Sequence, residues 1–98
     1  MSDRILTADD FTPHVGKGFT PLGQHRRLTL VSIDRSTFPG GDTLPQAPFT
    51  LLFTGVAGDV LPEGLYDVSI QDGPEVPLYI NPIQTFDRSR QDYQAVFN

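Results

Sequence analysis

From Lys17 onward the chain is broken at short intervals by proline and glycine, and between the breaks apolar residues recur with a period of two. This pattern confines the chain to short strands, because an amphipathic helix needs a period near 3.6 sustained over about ten residues or more. The segment FTLLFTG sets Phe49, Leu51 and Phe53 on one face against Thr50, Leu52 and Thr54. LYDVSI sets Tyr66, Val68 and Ile70 against Leu65, Asp67 and Ser69, and DYQAVFN sets Tyr93, Ala95 and Phe97 on one face and runs to Asn98. The last of these reads as a strand of the core sheet.

Three less regular segments complete the set. GKGFTPLG reads as a short edge strand, with Pro21 confining it to the sheet margin, and VPLYINPI reads as another edge strand, interrupted by Pro77 and Pro82. HRRLTLVSID is longer, and its alternation stumbles. Leu28 and Leu30 lie on one face while Val31 and Ile33 lie on the other, so the strand is either buried on both sides or bulged near Val31. The strands so predicted span about residues 17–22, 25–34, 49–55, 65–71, 76–83 and 92–98.

Ahead of them, LTADDFTPHVG predicts one short helix over about residues 8–14. Thr7 caps it, Asp10 closes the cap from the third helical position, and Leu6 and Phe11 have the spacing of a hydrophobic staple. The turn is expected to lid one end of the fold. Asp9 and Asp10 lie where the helix dipole favours negative charge, which accounts for adjacent carboxylates without acid/base chemistry.

The fold class is therefore all-β: a small antiparallel six-stranded β-barrel or sandwich with one short N-terminal helix, in one domain over residues 1–98. A chain of 98 residues buries somewhat over ~60% of its unfolded surface, enough for one core. The absence of cysteine excludes disulfide frameworks and thiol chemistry. The opening MSDRILTADDF has no apolar run of the kind a secretion signal needs, and no stretch approaches a membrane span. The expected location is the cytoplasm, or a particle assembled there.

Charge narrows the partners. Residues 1–49 carry five acids and five bases, while residues 50–98 carry seven acids against Arg88 and Arg90, so the formal charge of −5 belongs to the second half. A nucleic-acid partner, which needs clustered cations against phosphate, is not expected. His14 and His25 are the only histidines, eleven residues apart, and His25 is followed by Arg26 and Arg27. That setting opposes a metal. No serine lies in a G-x-S-x-G elbow, GKG at 16–18 lacks the phosphate-loop frame, and DRSRQD at 87–92 lacks the glycine and glutamate of a calcium loop. No enzyme, cofactor or metal is expected, and 87–92 reads as a solvated hairpin connection.

Two features suit protein contact. His25, Arg26 and Arg27 put positive charge on an acidic molecule and can register a partner's carboxylates. The long loop Ser36–Pro48 carries three prolines, a glycine pair and the apolar Phe38. LPEGLYDV sets a turn with Pro62 and Gly64, and Tyr66 follows where a tyrosine corner bonds its phenol back to the backbone, a folding device.

In order along the chain, L-T-x-x-D-F-x-P at Leu6 to Pro13, F-x-L-L-F-x-G at Phe49 to Gly55, L-P-x-G-x-Y at Leu61 to Tyr66 and Y-x-A-V-F-N at Tyr93 to Asn98 resemble DUF6916, a family of small bacterial domains of unknown function. The resemblance supplies no catalytic residues. It implies an association with phage-tail or tail-collar fibre proteins, hence an assembly, adaptor or capping role. The expectation is a non-catalytic structural or interaction module that meets other proteins, or copies of itself, through strand edges and an apolar-tipped loop. The alternative is a small-molecule module holding a sugar or lipid in the barrel mouth, with Tyr66, Tyr79 or Tyr93 lining it. A minimal enzyme would need His14 or His25 within hydrogen-bond reach of an aspartate.

Overall fold

The Thr7 N–H donates to the Asp10 carboxylate at 2.7 Å, satisfying one of the donors that a first helical turn leaves over. That contact starts α1, Ala8–Phe11, in a computed structural model that describes residues 6–35, 48–85 and 87–97. Pro13, which has no N–H to lose, lies in the 3-10 turn Thr12–His14 that continues the helix, and Val15 is already extended. The predicted helix is thus a single α turn tightened into a 3-10 turn. Phe11 and Leu6 both reach the core, as the staple spacing requires.

Six antiparallel strands follow: β1 Gly18–Pro21, β2 Leu28–Arg35, β3 Phe49–Val56, β4 Gly64–Ile70, β5 Glu75–Ile83 and β6 Arg90–Phe97. They close into a barrel in the order β1-β2-β3-β6-β5-β4. Two three-strand meanders are joined along β3 and β6, from Phe49 opposite Phe97 to Val56 opposite Arg90, and along β1 and β4, from Phe19 opposite Ile70 to Pro21 opposite Val68. Of the two expected architectures the barrel is the one formed.

Closure corrects the assignment of β1 and β5 as edge strands. Proline is excluded from strands that pair on both sides, but barrel strands are staggered, so each has stretches with one partner. The three prolines occupy such stretches. Pro21 pairs with β4 beyond the last β1–β2 pair, Pro77 pairs with β4 before β6 joins at Asn81, and Pro82 pairs with β6 beyond the last β4 pair. At Pro77 the direction of the nitrogen follows from its neighbours. Leu22 N–H donates to the Asp67 carbonyl at 2.8 Å, so the peptide groups of Asp67 point to β1, and Pro77 opposite Asp67 turns its nitrogen away from β4.

The start of β2 also differs from expectation. The strand begins at Leu28 rather than His25, because Gly23 turns the chain at φ +79° and Gln24 N–H closes that turn on the Pro21 carbonyl, leaving residues 25–27 as a lead-in. Within β2 the stumble in alternation is a bulge. Leu30 pairs with Phe53 and Ser32 with the next residue, Leu52, so Val31 is the extra residue. It is exposed, and the slip returns Ile33 to the core side.

The interior is filled. Phe19 and Phe53 meet edge to face at 5.1 Å, and Leu28, Leu30, Leu51, Val68, Leu78 and Ile80 surround them with almost no exposure. Each such side chain contributes about 1.5–3 kcal/mol relative to remaining in water. Phe11 closes one end, 6.0 Å from Phe49 and 5.7 Å from Phe97, whose rings stack at 4.5 Å. Leu61, fully buried in the β3–β4 crossing, comes in at the opposite end, where β3 finishes.

Candidate interaction surface

The tyrosines that a barrel-mouth ligand would need are engaged elsewhere. Tyr93 is buried and its phenol oxygen accepts the Leu61 N–H at 2.9 Å while donating to the Asp59 carbonyl at 3.3 Å, which ties the β3–β4 crossing to β6. Tyr66 donates to the Pro62 carbonyl at 2.6 Å, the corner contact its position after Pro62 and Gly64 predicts. Tyr79 points outward and donates to Glu63 Oε2 at 2.7 Å. The three phenols do not converge on one cavity.

The basic lead-in is also largely neutralised from within. Asp59 takes Arg26 Nε at 2.9 Å on one oxygen and His25 Nε2 at 3.2 Å on the other. The Arg26 hydrogen bond, with its charge and that of His25, holds the Asp59 carboxyl below its usual range. Arg27 turns the other way, across Gly18, to Gln71 Oε1 at 2.5 Å, and that oxygen also accepts the Gly18 N–H. A Cβ at Gly18 would fall on the Arg27 guanidinium, so a larger residue there would displace that side chain from Gln71. Of the predicted contact residues, His25 and Arg26 are brought together on Asp59 and Arg27 is not. Phe38, with the rest of 36–47, lies outside the described residues.

His25 and Asp59 are within hydrogen-bond reach, but Arg26 shares the carboxylate and the imidazole is 78% exposed, an arrangement that ties the crossing to the lead-in. His14 meets Lys17 Nζ at 3.4 Å and packs on Gly73, where a Cβ would come within 2.8 Å of its ring. Among the described residues no three His, Asp or Glu side chains are grouped to hold a metal, and no helix is long and apolar enough to cross a membrane. The 87–92 connection is built from its own charges: Ser89 N–H and hydroxyl both bond Asp87, and Arg90 spans Asp87 and Asp92 at 2.8 Å each.

The wall formed by β1, β4 and β5 is different. Leu65 pairs with Tyr79, Asp67 with Pro77 and Ser69 with Glu75, and Leu22 is bonded beside Asp67, so Leu22, Leu65, Pro77 and Tyr79 share the outward face. Leu65 is 71% exposed, Leu22 52% and Tyr79 49%. Scattered exposed leucines need no explanation, but here Leu65 pairs directly with Tyr79, Pro77 follows on β5, and Leu22 lies across Asp67 just past the end of β1, which makes a patch. Glu63 fixes the Tyr79 ring by its phenol and raises that phenol's pKa above the usual 10.0, since ionising it would give up the hydrogen bond to Glu63 and set two anions together. Sequence reasoning missed this face because Leu65 reads only as the outward phase of an alternating strand. The available signal was an apolar residue on that phase, paired in register with a tyrosine.

A half-enclosed groove of about 420 Å³ lies beside the bulge, and Val31, Leu52, Thr54, Ile83, Arg90 and Tyr93 are among the residues that line it. The Thr54 hydroxyl is buried there without a hydrogen-bond partner. A family profile described as a domain of unknown function (DUF6916) matches residues 6–97. No curated protein and no solved structure gives a significant match.

Proposed function

Because the chain belongs to the DUF6916 family, a family of domains without an assigned activity, we propose from its own geometry that it is a non-catalytic module that acts by protein contact. One observation carries the reading. The barrel is packed through its interior and plugged at its ends by Phe11 and Leu61, while its β1–β4–β5 wall displays Leu22, Leu65, Pro77 and Tyr79 to solvent. A side-chain display on a rigid, filled scaffold suits docking rather than enclosure of a ligand. On the family resemblance, the finer form of the proposal is an accessory, adaptor or capping component of a bacterial or phage tail-like or fibre-like assembly, formed in the cytoplasm.

The experiment is co-purification of the tagged protein with the products of its neighbouring genes, repeated with L65S/Y79S. Retention by the native chain and loss by the variant support the reading. A chain that stays monomeric and retains none of those products removes it. The small-molecule alternative draws on the groove beside Val31, whose apolar lining and unpaired Thr54 hydroxyl suit a small apolar ligand with one polar group. A fragment screen by NMR tests it, and shifts confined to Ser32, Leu52 and Thr54 would favour it over docking.

A further inference from the structure

The net charge of the chain falls in the stretch that supplies most of the docking wall. Residues 59–83 contain five acids and no lysine or arginine, and the rest of the chain carries seven of each sign, so this stretch accounts for the entire excess of −5. Within it Glu63, Asp67 and Glu75 lie on or beside the outward face that presents Leu65, Pro77 and Tyr79, and Asp72 lies in the turn between β4 and β5.

These acids differ in what they touch from four acids outside the wall. Asp9, Asp59, Asp87 and Asp92 each meet an arginine of the chain at 2.8–2.9 Å. Among the described residues Asp67, Asp72 and Glu75 meet no cation, and Glu63 holds the Tyr79 phenol. Arg27, at the margin of the wall, is turned to Gln71. Among the described residues the arginines pair elsewhere and leave exposed apolar side chains interleaved with and flanked by carboxylates that meet no cation.

Resting on the docking role proposed above, we infer that the β1–β4–β5 wall takes a protein segment whose apolar side chains are flanked by lysine or arginine. A like-charged occupant would gather four carboxylates against its own anions without relief, whereas cations at the rim both pair with them and steer encounter. The same argument disfavours a second copy, because a two-fold contact through this wall sets Asp67 and Glu75 against their counterparts. Nucleic acid and anionic lipid are repelled by the same charges.

The test uses the full chain, isotope-labelled for NMR, and two synthetic peptides with identical leucine and tyrosine positions, one flanked by lysines and one by glutamates. The lysine peptide is expected to shift the amides of Leu22, Leu65, Asp67 and Tyr79, to bind about tenfold more weakly when salt rises from roughly 0.05 to 0.3 M, and to lose that salt dependence with D67N/E75Q. L65S is expected to weaken the same contact while the rest of the spectrum stays in place. Equal binding of both peptides at this wall overturns the charge inference and leaves the docking role standing. Shifts mapped instead to Asp9 or Asp34 overturn it also, as do concentration-dependent shifts of the wall without peptide, which would assign it to a second copy. If neither peptide touches the wall, the inference and the docking role fall together.

Discussion

Replacing Tyr93 by phenylalanine should destabilise the barrel more than replacing Tyr66, although each change removes one hydroxyl. The Tyr93 oxygen is the acceptor of the Leu61 N–H, and Leu61 is fully buried, so water cannot take over that donor. A buried donor left unpaired costs about 1–3 kcal/mol. The Tyr66 hydroxyl instead donates to the carbonyl of Pro62, an exposed residue, and that carbonyl can turn to water once the phenol is gone. Only the net worth of an ordinary hydrogen bond, about 0.5–1.5 kcal/mol, is then lost. In a domain of this size 1 kcal/mol moves Tm by about 4–8 °C, so Y93F should lower it by roughly 5–20 °C and Y66F by less than half as much. Urea unfolding of both variants, with m unchanged, gives the comparison. The Leu61 amide should also exchange its proton faster in Y93F alone. If Y93F loses no more stability than Y66F, the crossing is not held by that bond.

Three further outcomes follow from particular contacts. Deleting residues 93–98 removes Tyr93 and Ala95 from the core and strips the first half of β3 of one of its two partner strands, so the truncated chain should show no cooperative unfolding by circular dichroism; a stable truncation would instead mark the terminus as dispensable to the barrel. Asp59, whose carboxyl Arg26 holds below its ordinary value of 3.8, should contribute its stabilisation fully above that value and lose it as pH falls through the lowered one. The difference in urea midpoint between the native chain and D59N should accordingly be flat from neutral pH to about 4 and shrink below it; a difference that persists undiminished to pH 2 contradicts the pairing. Tyr79 should keep its proton above the ordinary 10.0, so what its bond to Glu63 contributes is present below that pH and fades as pH rises through the raised value. Ring-carbon NMR across the alkaline range should show E63Q bringing the Tyr79 titration down, and no change on E63Q would detach the two groups.

Most local features were legible because they depend on neighbours in sequence. The Thr7–Asp10 contact, the Leu6–Phe11 staple and the Tyr66 corner each follow from spacing within a few residues, and the broken alternation at Val31 offered the bulge as one of two readings. Closure was not legible. It rests on β1 lying beside β4, strands more than forty residues apart whose alternation fits a sandwich as well as a barrel. Proline misled for a related reason: it reports a missing partner on one side, which an edge strand and a staggered barrel strand share. At the surface the cations at 25–27 drew attention because few bases occur elsewhere, yet two of them are satisfied by Asp59, an acid about thirty residues away that no local pattern connects to them.

Closure also changes what kind of contact the domain can make. A sandwich would have offered open strand edges to a partner, and the expectation of pairing through edges depended on them. In the barrel the stretch of β5 before Asn81 that lacks a second partner has Pro77 in its middle with the nitrogen facing that side, so it presents a gap where an added strand would need a donor. Main-chain addition is hindered along that stretch of β5. The same proline contributes to the outer wall, standing opposite Asp67 and between Tyr79 and Glu75 on β5. One residue thus hinders strand addition along its own stretch and helps form the surface beside it.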